Sequence, residues 1–112
     1  MTDLVERGDV WWADLNPTRG REQNGIRPIL IISCNALNRN SGTVICIPLT
    51  SSEPRAGFPL TLEVTSTDLP KRSWAKISQI RVLSIDRLTD KITKIESPEL
   101  DKIQAGLIQI TS

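Results

Sequence analysis

A mainly β fold, arranged as a small, strongly curved sheet or barrel and closed by a C-terminal helix, follows from three observations on the sequence. Short apolar or alternating runs recur from residue 9 to residue 83, each bounded by Gly, Pro, Asn or Ser and each too short for a helix. The spacing changes only near the end, where Leu100, Ile103, Leu107 and Ile110 fall at helical intervals. At 112 residues the chain can build one two-layer core and not two, so residues 1–112 read as a single domain in which strands and helix share that core.

The elements follow in order. Gly8 ends an acidic lead-in, and residues 9–15 then alternate as a strand, with Val10, Trp12 and Asp14 on one face and Trp11, Ala13 and Leu15 on the other. One tryptophan should therefore face the core and the other an interface or a groove. Asn16, Pro17, Gly20, Asn24 and Gly25 forbid regular structure over the next stretch, a long loop for so small a domain and hence a functional or mobile one. Residues 28–33 form a continuous apolar run suited to a central strand buried on both faces, with Pro28 at its start because it has no N–H for a ladder. Arg27 is thereby placed where loop meets rigid sheet, a common position for functional side chains. Residues 34–42 read as a short helical turn or loop ended by Gly42. Residues 43–49 are a strand in which Pro48 marks a bend or an edge, and Thr50, Ser51 and Ser52 cluster where it stops.

A second loop covers residues 53–58, and residues 59–64 alternate as a half-exposed strand. After a turn at residues 67–70, residues 73–83 carry one or two further strands. Their parity puts Trp74, Lys76, Ser78 and Ile80 opposite Ala75, Ile77, Gln79 and Arg81. The helix should begin with Ser97 as its cap, Pro98 at its first position and Glu99 in its first turn.

Composition narrows the function. Apolar content of 38% with 24% charged residues is that of an ordinary soluble globular protein. The longest apolar run, residues 29–32, is far below a membrane span, and the acidic N-terminus lacks a signal-peptide core, so a cytoplasmic protein with no membrane association is expected. Cys34 and Cys46 have neither metal-site spacing nor the numbers for a disulfide scaffold; reduced thiols are expected, with Cys46 a small buried hydrophobe. Histidine is absent, which removes the usual general base, the usual metal ligand and the Ser/His and Cys/His nucleophile pairs.

Charge is unevenly spread. Residues 1–14 hold one cation and four anions, residues 15–81 nine and four, and residues 82–112 four and five. Within the basic middle, Lys71, Arg72, Lys76 and Arg81 occur with no acid between them. Such a cluster is either a solvated surface or a polyanion-binding one.

The chemistry left to the chain rests on arginines, hydroxyls and a glutamate. Arg27 carries a permanently charged planar fork suited either to stabilising a phosphorane or to a surface salt bridge. Thr50 is placed to donate to the same phosphate, or simply to end a strand. Glu22, the only acid between Asp14 and Glu53, could act as a base, orient Arg27 or merely solvate the loop. RNA brings its own nucleophile: if its 2′-hydroxyl attacks the adjacent phosphate, the protein need only position the strand, assist proton movement and stabilise charge. Two-metal hydrolysis would need a carboxylate cluster that the sequence lacks, so neither metal nor cofactor is expected.

The segments RGDVWWADLNPTRGREQNGIRPILIIS, IPLTS and SQIRVLSIDRLTDKI resemble the MazF/PemK family of toxin endoribonucleases in order and spacing, from about Arg7 to the C-terminal helix. The resemblance implies an SH3-like barrel of the CcdB/PemK type with a C-terminal helix, and a homodimer. It also implies metal-independent, sequence-specific cleavage of single-stranded RNA, with mRNA cleavage arresting translation and growth, and a cognate antitoxin that blocks the site. By the same resemblance the family's catalytic arginine falls on Arg27, the threonine closing its third strand on Thr50, the loop glutamate and glutamine on Glu22 and Gln23, and the glutamine before its IR pair on Gln79. Ser51 and Arg81 should lie beside the site. Together with Arg19, Arg21 and Lys76 these polar groups form the expected RNA-binding set, Arg27, Thr50 and Glu22 being the expected catalytic one.

Three positions depart from the family's pattern. Arg21 stands where serine or histidine is common, Ser78 where an acid often precedes the QIR segment, and Lys76 with Ser78 where one branch uses arginine and aspartate. These changes should alter sequence preference or pH dependence before they abolish cleavage. Trp11 and Trp74 are each suited either to the core or dimer interface or to stacking a base. The antitoxin is expected to present an acidic, partly disordered segment to the basic middle. Two alternatives remain: a non-enzymatic gyrase-binding toxin of the CcdB type, whose C-terminal Trp-Gly-Ile is replaced here by IQITS, and a barrel-like module that binds acidic peptides.

Overall fold

A computed structural model describes residues 4–15 and 25–112. Seven strands, β1 (Asp9–Asp14), β2 (Ile26–Ile31), β3 (Thr43–Thr50), β4 (Leu62–Val64), β5 (Ser73–Ala75), β6 (Arg81–Ser84) and β7 (Leu88–Lys94), form one antiparallel sheet. Its order is β4-β5-β3-β2-β1-β7, with β6 also paired to β3, and it curls into a half-barrel. Two helices complete the fold, α1 (Asn35–Asn40) and α2 (Ser97–Thr111). Register shifts on either side of Trp11 break the β1–β7 ladder, and such irregularities raise local twist and help a sheet to curl.

Each face of the sheet has its own apolar cluster. Val10, Leu30, Ile47, Leu49, Ala75 and Ile77 pack on one side with Leu100 and Ile103 of α2, while Leu107 and Ile110 extend that contact as the helical spacing requires. Trp11, Ala13, Ile29, Ile31, Val44, Cys46 and Leu83 form the other. Strand β2 is thus buried on both faces from Ile29 to Ile31, as its unbroken apolar run predicts. Trp11 is the core tryptophan, and Trp12 is only half-buried.

Four details differ from the sequence expectations. Pro48 marks no edge: β3 is central, paired to β2 on one side and to β6 then β5 on the other. The Pro48 carbonyl accepts a hydrogen bond from Lys76 N (2.9 Å), so the missing N–H points the same way, into the gap where β6 ends and β5 begins, and no ladder bond is lost. The strand expected over residues 59–64 is reduced to β4, because the N–H groups of Leu60 and Thr61 both donate to the Gly57 carbonyl and turn the chain there. Residues 73–83 carry two strands, within the expectation of one or two, but the 3-10 turn Ile77–Gln79 between β5 and β6 interrupts the alternation on which their parity rests. The cap of α2 is Glu96, whose extended backbone and carbonyl receive the first helical N–H groups; Ser97 already lies inside the helix.

Candidate active site

The register of the central strands brings the two expected catalytic side chains together. Ile29 pairs with Pro48 and Leu30 with Ile47, so continuing the antiparallel register by two residues sets Arg27 opposite Thr50. By alternation both belong to the face that carries Ile29, Ile31 and Cys46. Each stands at a strand end, where the side chain leaves the core: Arg27 is exposed and Thr50 half-buried. Arg27 has no ion-pair partner among the described residues, so the salt-bridge reading of it finds no support there. Thr50 Oγ1 accepts from Ser52 N at 3.1 Å, which fixes the hydroxyl and leaves its O–H available as a donor.

Arg27, Thr50 and Ser51 contribute to the wall of one cleft, about 190 Å³ in volume, with Trp12, Ile26, Pro28 and Leu49 on the strand side. Leu69, Pro70, Lys71 and Ser73 close it from the turn that leads into β5. An arginine, a hydroxyl, a lysine and a half-buried tryptophan around an apolar floor make a site for a phosphate joined to a flat aromatic group.

The face that carries Arg27 and Thr50 continues across the sheet, whereas Leu49 and Leu69 reach the cleft from the side of α2. Thr50 pairs with Trp74 of β5, and Trp74 with Glu63 of β4, so Thr50, Trp74 and Glu63 form one transverse row, which the extended β2 register continues toward Arg27. Lys76 extends the β5 side opposite Pro48, at the start of the 3-10 turn. Gln79 ends that turn and is exposed, and Arg81, also exposed, opens β6 opposite Cys46. Pairing with Cys46 puts Arg81 on the Cys46 side of the sheet, and while burial pushes the Cys46 thiol up to about 11 the Arg81 guanidinium pulls against it. Lys76, Gln79 and Arg81 therefore lie beyond the cleft rather than in its wall.

Arg19, Arg21, Glu22 and Gln23 fall outside the described residues. Trp12, Lys71, Leu69 and Ser73 are cleft residues that were not among the expected site. Strand alternation sends Trp11 and Trp12 to opposite faces without saying which meets a groove, and Lys71 belongs to the basic cluster of the chain's middle. Leu69 and Ser73 carry no sequence signal, since only the return of β5 alongside β3 brings them there.

A family model described as "PemK-like, MazF-like toxin of type II toxin-antitoxin system" matches residues 6–111. The chain belongs to this family. Among curated relatives it is 38% identical over 106 residues to the endoribonuclease EndoA of Bacillus subtilis, covering 93% of this chain and 91% of that one. It is 36% identical over 106 residues to the endoribonuclease MazF of Staphylococcus saprophyticus, covering 93% and 88%. Among solved structures, a MazE-MazF complex from Deinococcus radiodurans superimposes with a TM-score of 0.81 at 25% identity, over 98% of this chain and 97% of that one. An endoribonuclease with its cognate antitoxin from a mycobacterial species gives 0.78 at 25% identity, over 98% and 95%. The MazF-like fold is thus shared across nearly the whole chain, and the CcdB-type alternative is not favoured.

Proposed function

We propose that this MazF-like toxin is a sequence-specific endoribonuclease that cleaves single-stranded RNA at the Arg27–Thr50 cleft, without metal. The observation that carries the reading is the cross-strand juxtaposition of Arg27 and Thr50 at the rim of one cleft. In the proposed step the substrate's 2′-hydroxyl loses its proton and attacks the adjacent phosphorus. Charge then gathers on the equatorial oxygens, where the Arg27 guanidinium and the Thr50 hydroxyl stabilise it. The P–O5′ bond breaks, the leaving oxygen takes up a proton, and the products carry a 2′,3′-cyclic phosphate and a 5′-hydroxyl. Glu22 completes the proposed catalytic set, as a base or by orienting Arg27, with Gln23, Arg19 and Arg21, and Ser51, Lys76, Gln79 and Arg81, binding the strand on either side.

The proposed setting is cytoplasmic, where mRNA cleavage would arrest translation and growth. The described chain has no helix long and apolar enough to cross a membrane, and the names of related solved structures pair such toxins with cognate antitoxins. A cognate antitoxin with an acidic segment competing for the basic face, and a homodimeric assembly readable by light scattering, complete the proposal.

Purified protein incubated with a single-stranded RNA panel in EDTA tests the chemistry. Cuts should leave cyclic phosphate and 5′-hydroxyl ends, and Arg27→Ala should slow them by about 10²-fold or more, the usual scale for losing one such charge stabiliser. An RNA panel left intact by the wild-type protein would overturn the proposal.

A further inference from the structure

Trp74 stands beside Thr50 in the transverse row, yet its ring is not open to a nucleobase. It is 8% exposed, and the Arg72 guanidinium carbon lies over it, 4.8 Å from the ring centroid. Arg72 is held there from the side. Its Nε donates to Glu63 Oε2 at 2.6 Å and its Nη2 to Glu63 Oε1 at 3.1 Å, the bidentate geometry that fixes a guanidinium plane. Glu63 reaches it because β4 and β5 pair Glu63 with Trp74. The Arg72 side chain nevertheless remains 64% exposed, so the guanidinium has the indole beneath it and stays open to solvent above.

This arrangement does something a free arginine on a phosphate does not. Two of the donor groups are committed to Glu63, and the charge is compensated there, with Glu53 a further anion in the neighbourhood. A phosphate would gain little from it. What is offered outward is a flat, clamped, weakly hydrated π-surface, on which an unpaired base stacks without the entropy cost of ordering a long side chain. Thr50 lies one strand spacing away (~5 Å) and Arg72 two residues (~7 Å) along β5 from the residue paired with it, so a strand whose phosphate sits at Thr50 brings a flanking base within reach.

We propose that Arg72, stacked on Trp74 and clamped by Glu63, is a specificity-determining platform that stacks a nucleobase flanking the scissile phosphate. The proposal rests on the ribonuclease reading and adds to it a position at which RNA is read. Trp74 and Glu63 act as positioning residues beneath and beside the platform.

The test uses the full-length protein and a short single-stranded RNA spanning a site that the wild-type enzyme cuts, together with versions carrying an abasic residue at each flanking position in turn. For the wild type, one abasic position should lower kcat/KM about tenfold, near the low end of what stacking one base supplies. Arg72→Lys keeps the charge and loses the plane. It should cut the intact RNA about tenfold less well, be insensitive to the abasic residue at that same position, and leave the salt dependence of binding unchanged. Glu63→Gln, which loosens the plane without removing it, should give a smaller loss at the same position. Arg72→Lys behaving as wild type, or losing rate equally on every abasic substrate, would overturn the platform while leaving the ribonuclease intact. A wild-type protein that cuts no RNA would overturn the ribonuclease reading instead.

Discussion

Single residues in this protein act through the strand register that sets them side by side. Arg27 and Thr50 are separated by two strands' worth of sequence, yet the pairing of Ile29 with Pro48 fixes both at one rim. Thr50 contributes a directed O–H, since the Ser52 N–H already holds one lone pair of the oxygen. Thr50→Val keeps the shape and removes that donor. A hydrogen bond to a charged group is worth about 1.5–3 kcal/mol, so kcat should fall by roughly 10- to 100-fold with KM little changed, as steady-state cleavage of a single RNA substrate would reveal. Alternation alone separates Trp11 from Trp12, but only the structure shows that Trp11 is the buried one. The cover on Trp74 is less legible, because the clamp on its near neighbour Arg72 comes from Glu63 of β4, which only the pairing of β4 with β5 brings there.

At the scale of elements, the start of α2 is fastened by a buried carboxylate. Glu99 accepts hydrogen bonds from the backbone N–H and hydroxyl groups of both Thr65 and Ser66, at 2.7–3.2 Å. Burial works to raise its pKa, but the four donors together hold it below the usual carboxylate value. A depressed folded value means that the charged form stabilises the fold at neutral pH, and that this contribution is lost as the pH falls through the folded value. Glu99→Ala removes a charged acceptor from two part-buried N–H groups and should cost about 1–3 kcal/mol near neutral pH. The gap in urea midpoint between variant and wild type should narrow toward pH 3. The amphipathic spacing of α2 was plain in the sequence, whereas this anchor was not, since Glu99 there reads as an ordinary first-turn acid. Strand β7 escaped notice for a related reason. It is an edge strand, mostly exposed, with Leu88 and Ile92 as its only apolar residues, too few to set a period.

For the molecule as a whole, the charge asymmetry of the chain becomes a spatial one. Arg27 on β2 and, across β3, Lys76 just after β5 and Arg81 on β6 belong to one sheet face, and Lys71 sits in the cleft wall. If Lys76 neutralises a phosphate beyond the cleft, Lys76→Ala should weaken RNA binding uniformly across sequences. It should also reduce the slope of log K against log salt by about 0.7, the single-strand value for one phosphate. Binding isotherms over a salt series measure this, and an unchanged slope would remove Lys76 from the RNA-binding set. Arg72→Lys is expected to leave the same slope alone, so the two basic residues separate into a phosphate contact and a base contact by one kind of measurement.

The sequence by itself determined the elements and their chemistry. It set a short-strand β fold with a closing helix, the double burial of β2, the absence of histidine chemistry and the candidacy of Arg27 and Thr50. These follow from local spacing and residue type, which act over a few positions and are written directly in the chain. The tertiary structure alone decided how those pieces meet. It put Arg27 opposite Thr50, sent Pro48 into the one gap where its missing N–H costs nothing, and covered Trp74 with a clamped Arg72. Such contacts depend on which strands become neighbours and in what register. Those choices follow from burying both faces of the sheet at once, a constraint on the whole chain and not on any segment of it.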